Sequence, residues 1–181
     1  NPFLLSVADS LLLSNSSLVS GFLYFNRSNP HYGIDFSYQN NRSKLLLTNG
    51  FESRDLRDYG IRWRWNITRK FSSIVKVNQN QKGYFAEYFP DNNYIIIGYF
   101  ITPQLTYQPS GVFRATFSYS YGDSRNSISD GAGEEAVNNK VSLDVKYNVV
   151  AKSVINVTTT FGSVQYTGTN NTPVQYTMLE G

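Results

Sequence analysis

The chain contains no cysteine, which excludes a disulfide framework and any thiolate metal site. It also lacks any apolar run near the length of about 18 residues that marks a transmembrane helix, so a membrane could be crossed only by strands. Histidine and methionine each occur once. The lone imidazole, His31, has no G-x-S-x-G or H-E-x-x-H spacing beside it, so nothing supports nucleophilic or metal-assisted catalysis. The chain is therefore expected to be no enzyme and to carry no cofactor. Charge is scarce: 16 Lys and Arg face 13 Asp and Glu, for a net +3 with no basic run. That is a poor footprint for a polyanion, and no nucleic-acid partner is expected. No compositional break divides the 181 residues, so one domain is expected. The chain opens on Asn1 without a basic and then apolar leader and closes on "YTMLEG"; an export signal already removed and a longer parent protein are expected.

What is abundant is aromatic and small polar. Aromatics make up 15% of the chain, with 14 Tyr and 12 Phe, a profile that favours strands. Period-two alternation recurs, while an apolar stripe at helical spacing does not. In "HYGIDFSYQ" (31–39) Tyr32, Ile34, Phe36 and Tyr38 alternate with Gly33, Asp35, Ser37 and Gln39. In "YGIRWRWNI" (59–67) Tyr59, Ile61, Trp63 and Trp65 alternate with Gly60, Arg62, Arg64 and Asn66. Residues 112–122 set Phe113, Ala115, Phe117, Tyr119 and Tyr121 against Arg114, Thr116, Ser118 and Ser120. Residues 140–149 set Val141, Leu143, Val145 and Tyr147 against Lys140, Ser142, Asp144 and Lys146.

Weaker strand signals cover 18–26, 44–51, 72–80, 93–107, 152–163 and 173–178, with Pro103 expected to interrupt a strand or mark an edge. Short connections at 40–43, 68–72, 107–111 and 149–153 alternate with longer ones at 26–30, 48–55, 78–93, 122–139 and 167–173. The reading is all-β: an antiparallel up-and-down transmembrane barrel, or a large part of one, of about ten strands with short periplasmic turns and longer external loops. Residues 1–16 are expected to be a lead-in loop and 17–181 the barrel strands.

Alternation alone leaves open which way the apolar face points. Expected strands of about 9–13 residues suit a tilted bilayer crossing, the polar faces carry Ser, Thr, Asn and Gln more than Lys and Glu, and tyrosines sit toward the ends of the apolar faces. Lipid is therefore the expected environment of Tyr32, Ile34, Phe36, Tyr38, Tyr59, Ile61, Trp63, Trp65, Phe113, Phe117, Tyr119, Val141, Leu143, Val145 and Tyr147. The lumen is expected for Asp35, Arg62, Arg64, Lys76, Arg114, Asp144 and Lys146, because an outward Arg at mid-depth costs about 2–4 kcal/mol.

The segments "NPHYGIDFSYQNNRSKLLLTNGFESRDL", "GIRWRWNITRKFS", "LTYQPSGVFRATFSYSY", "VSLDVKYNVVAKSVINVTTTF" and "VQYTMLEG" resemble barrel-wall segments of large outer-membrane proteins of Bacteroidota. The resemblance covers most of the chain from about residue 17. It implies residence in a bacterial outer membrane, with the lipid bilayer, lipopolysaccharide and protein partners in an envelope complex as contacts. Two roles follow as expectations: a pore wall, or a structural subunit holding partners. A soluble binding or adhesive module, β-sandwich or lipocalin-like, would show the same period. Two further features have plain readings. The acidic stretch Asp123, Asp130, Glu134 and Glu135 lacks EF-hand spacing and reads as a solvated loop, and the sequons at Asn15, Asn26, Asn41, Asn66, Asn156 and Asn170 read as incidental in so Asn-rich a chain.

Overall fold

A computed structural model describes residues 13–47, 50–127, 134–149, 153–167 and 173–180. They form nine strands in one sheet: β1 Leu13–Phe25, β2 Tyr32–Leu47, β3 Gly50–Asn66, β4 Phe71–Ala86, β5 Tyr94–Tyr107, β6 Phe113–Asn126, β7 Glu135–Val149, β8 Ser153–Thr167 and β9 Pro173–Glu180. Sheet order equals chain order and every neighbouring pair is antiparallel. The only helical element among the described residues is one 3-10 turn, Pro90–Asn92. The sheet is a meander that does not close: β1 and β9 are its edges.

Short-range chemistry makes the turns. Asn26 takes a φ of 58°, a conformation Asn tolerates better than most residues, and its carbonyl accepts from the Asn29 N–H at 3.1 Å. The Asn29 side chain then accepts from the His31 N–H at 2.7 Å, so the single imidazole belongs to a turn. Between β3 and β4 the Thr68 hydroxyl accepts from the N–H groups of Lys70 and Phe71. Between β4 and β5 the Asn93 side chain accepts from the Ala86 N–H at 2.7 Å.

Three expectations are corrected. Residues 40–43 are not a turn but the middle of β2, paired with Arg54–Arg57 of β3, which was expected to begin only after a loop at 48–55. Both stretches look like loop because they are polar; across the pair Asp55 accepts from Arg42 at 3.2 Å, and within β3 it pairs with Arg57 at 2.6 Å. Two expected strands, 31–39 and 44–51, thus become one plus the start of the next, which is why the count is nine rather than about ten. Secondly, the long connections at 78–93 and 122–139 are mostly strand, since β4 runs to Ala86, β6 runs to Asn126 and β7 starts at Glu135. The lead-in reading of 1–16 holds no loop at its end, because β1 begins at Leu13; residues 1–12 lie outside the described part.

Pro103 does not end its strand. The β5 ladder with β4 runs through it, Val75 opposite Pro103, while the ladder to β6 skips from Ile101↔Tyr121 to Gln104↔Ser118. The missing proline N–H accounts for the gap, and a Thr102–Ser120 hydroxyl contact of 3.1 Å spans it.

The described residues have almost no core. Ala86 is the one buried hydrophobic residue among the described residues, and no large side chain is fully buried. The accessible surface is 13441 Å², against about 8,800 Å² for a compact protein of this mass. One layer of sheet, uncovered on either side, explains the excess.

Candidate functional site

The candidate site is the sheet itself, because its register sets a largely apolar face against one that holds most of the polar and charged side chains of the strand centres. Directly paired residues share a face, so the pairs can be followed from strand to strand. Tyr38 lies opposite Tyr59, Phe36 opposite Ile61, Ile34 opposite Trp63 and Tyr32 opposite Trp65. Ile61 continues to Val77 and Ile101, then to Tyr121. Phe117, Leu143 and Thr159 align likewise, as do Phe113, Tyr147 and Ile155. Every residue expected on the apolar side, from Tyr32 through Tyr147, falls on this one face. The side chains stand bare: Trp63 is 46% exposed, Phe117 48% and Val157 56%.

Aromatic rings rim that face at two levels. Near the turns at 67–70 and 108–112, Phe71 stacks on Tyr107 at 4.5 Å and Tyr107 meets Phe113 edge-on at 6.4 Å. Trp63 and Trp65 lie parallel with centroids 6.1 Å apart. At the other rim Tyr38 packs on Tyr59 at 5.1 Å, with Tyr99 and Tyr121 on the following strands. Rim to rim there are seven residues from Tyr32 to Tyr38 and from Tyr59 to Trp65, and nine from Tyr99 to Tyr107 and from Phe113 to Tyr121.

Beyond the tyrosine rim the same face becomes charged. Arg42, Asp55 and Arg57 form one ion-paired cluster. Arg125 pairs with Asp123 and with Glu135, both at 3.2 Å, in another. The sequence pattern misses this band, since all of its residues but Arg57 fall in stretches read as connections. Asp123 and Glu135, expected in a solvated loop, lie instead on β6 and β7, where both carboxylates hold Arg125. Asp130 lies outside the described residues, and no group of metal-holding side chains exists among those described.

The opposite face gathers Asp35, Arg62, Arg64, Lys76, Arg114, Asp144 and Lys146, with Glu52, Arg54, Asp58, Lys82 and Lys140, which were not singled out, in the same set. One paired row carries Asp35, Arg62, Lys76 and Thr102 across four strands. Arg62 is directly opposite Lys76, and Arg114 directly opposite Lys146. Like charges so placed repel, and among the described residues none of these four cations has an ion pair. Asp144 accepts from the Thr158 hydroxyl at 2.8 Å. Arg64 differs from the rest: its Nη2 donates to the carbonyls of Arg27 at 3.1 Å and Asn29 at 3.3 Å, so it clamps the β1–β2 turn. Gly33, buried beneath that guanidinium, leaves it room.

Small residues dominate where this polar face is tightest. Gly98, Thr116 and Gly122 are its buried members on β5 and β6, and a Ser118–Ser142 hydroxyl contact of 2.7 Å joins β6 to β7. Among the described residues the few buried ones are small, while the large apolar side chains of the other face are exposed or half-exposed. Compared with known proteins, the chain matches no family model, no curated protein and no solved structure.

Proposed function

We propose that this chain is wall of a transmembrane β-barrel of the bacterial outer membrane, non-enzymatic, with the apolar face toward lipid and the polar face toward a hydrated interior. The observation that carries the reading is the uncovered apolar face. A soluble monomer rarely leaves an apolar patch larger than a few hundred Å², whereas here aromatic and aliphatic side chains cover one side of eight strands. The aromatic rims fit the two headgroup levels, and seven to nine residues between them approach the roughly 9–11 of a tilted crossing. Strands of up to 17 residues then project past the membrane, which is where the ion-paired outward charges lie.

The unpaired cations of the polar face favour a pore wall. Arg54, Arg62, Arg64, Lys76, Lys82, Arg114, Lys140 and Lys146 outnumber Asp35, Glu52, Asp58 and Asp144 there, so water and mobile anions are the natural counterweight to the excess positive charge. Planar-bilayer recording of the reconstituted protein tests this: a stable open current with anion preference, reduced by Arg62→Glu, is expected. Silence despite insertion favours the second role, a membrane-embedded structural subunit. That role draws on Phe22 and Tyr24, which stack at 6.4 Å on the polar face and suit a protein partner better than water. A chain that stays in solution without detergent would return the soluble binding module instead.

A further inference from the structure

Asp35 stands directly opposite Arg62 on the polar face, yet among the described residues the two form no ion pair. Elsewhere the register closes such oppositions: Arg42 meets Asp55, and Arg125 meets Glu135, each at 3.2 Å. Lys76, on the other side of Arg62, is equally without an ion pair. Tyr24 heads the same row, opposite Asp35.

The adjacent row completes a hollow. Phe22, Ser37, Gly60 and Asn78 follow one another across the same four strands. Gly60 forms the floor, and the Ser37 hydroxyl and the Asn78 amide oxygen lean over it: a Cβ at position 60 would collide with the first and stand 3.2 Å from the second. The two rows enclose about 250 Å³. The β1 wall is aromatic, for the rings of Phe22 and Tyr24 lie at an interplanar angle of 8° and are 59% and 50% exposed. Arg27 closes the turn end, its guanidinium 4.4 Å from the Tyr24 ring centroid.

Each group restricts what can enter. Arg62 and Lys76 only donate and carry charge, so they call for an acidic group; Asp35, when ionised, only accepts, so it calls for a hydroxyl donor on the same molecule. A bare anion would face Asp35 with nothing to donate and leave the rings unused. The electron-rich ring faces suit weakly positive C–H groups, which a pyranose presents on its flat sides while its hydroxyls point outward. A volume below the roughly 300–1,000 Å³ of drug-sized sites admits one such ring and not a peptide or a nucleotide.

We infer that this hollow on the polar face is a binding subsite for a single acidic sugar ring, a pyranose bearing a carboxylate or a phosphate. Phe22 and Tyr24 carry the ring, Asp35, Ser37 and Asn78 hold its hydroxyls, and Arg62 and Lys76 hold its acid group. The inference rests on the hydrated polar face of the reading above and names the solute class that face would meet.

Saturation-transfer NMR on the full chain in detergent micelles tests it with galacturonate, glucose-6-phosphate and glucose. Both acidic sugars, or one of them, should receive saturation, the stronger naming the acid group, with glucose bound about ten-fold more weakly or worse. Arg62→Gln should weaken the acidic sugars about ten-fold and leave glucose unchanged; Arg62→Lys should recover part of the loss. Phe22→Leu should weaken all three, and Arg114→Gln, on the same face outside the hollow, none. Both Phe22 and Arg62 are exposed, so urea unfolding midpoints should match the parent's. Glucose bound as tightly as the acidic sugars, equal losses for Arg114→Gln and Arg62→Gln, tighter binding of adenosine monophosphate, or no saturation of any sugar overturns the subsite. Bilayer recording separates the two claims: a conducting chain that binds no acidic sugar loses only the subsite, and a silent chain that binds one loses only the pore.

Discussion

Phe100 of β5 lies directly across from Gly122 of β6, and its ring fills the space that a side chain at 122 would need: a Cβ there would stand 2.6 Å from Cδ1. Gly98 on the same strand is covered by the same ring, its added Cβ falling 2.7 Å from Cε2. An aromatic that shields strand glycines restores the contact they forgo. Gly122→Ala is therefore expected to displace the ring and cost about 1–3 kcal/mol, measured by urea unfolding in detergent micelles. The double variant with Phe100→Ala should lose less than the sum of the single changes; full additivity would mean that the ring and the glycine are independent.

Arg64 and Arg62 stand on one face two residues apart, yet their surroundings assign them different work. Arg64 is engaged with the Arg27 and Asn29 carbonyls, so Arg64→Ala should destabilise by about 1.5–3 kcal/mol, the range for hydrogen bonds to a charged group. Exchange of the 26–31 turn amides should quicken while ion preference barely moves. If Arg64→Ala shifts the reversal potential as much as Arg62→Ala does, the clamp is not its main role.

The Arg62–Lys76 and Arg114–Lys146 oppositions predict that charge reversal stabilises. Lys76→Glu would face Arg62 across the pair and adjoin no acidic neighbour on β5, where Thr102 is opposite. A gain of about 0.2–1 kcal/mol is expected, shrinking at high salt, together with weaker anion preference. A loss of stability at low salt would show that the two cations are not in repulsion.

How far these faces were legible before folding depended on contrast. Residues 59–67 alternate large apolar with charged or small groups, so their two sides could be read directly. Residues 40–43 and 53–58 are polar at nearly every position, and only their mutual pairing makes strand of them. In β1, apolar residues at both parities conceal the period from Leu18 onward. The Arg64 clamp joins residues 35 apart or more, and which residue faces which across strands is a matter of register, which no single strand's pattern contains.

Arginine substitution maps the depth of the apolar face. Ile61→Arg and Phe117→Arg, both between the aromatic rims, should each cost about 2–4 kcal/mol in a bilayer, while Gln165→Arg, beyond the rim, should cost about 0–1. Folding equilibria in liposomes read the difference. Were this face bathed in water, all three changes would fall within about 0.5 kcal/mol of neutral.

The central claim concerns what the apolar face touches, and the chain carries its own reporter, since its two tryptophans, Trp63 and Trp65, both lie on that face. In liposomes, their fluorescence should be quenched strongly by lipids brominated along the acyl chains and little by aqueous iodide. Strong iodide quenching with no response to brominated lipid would place the tryptophans in water and contradict the account.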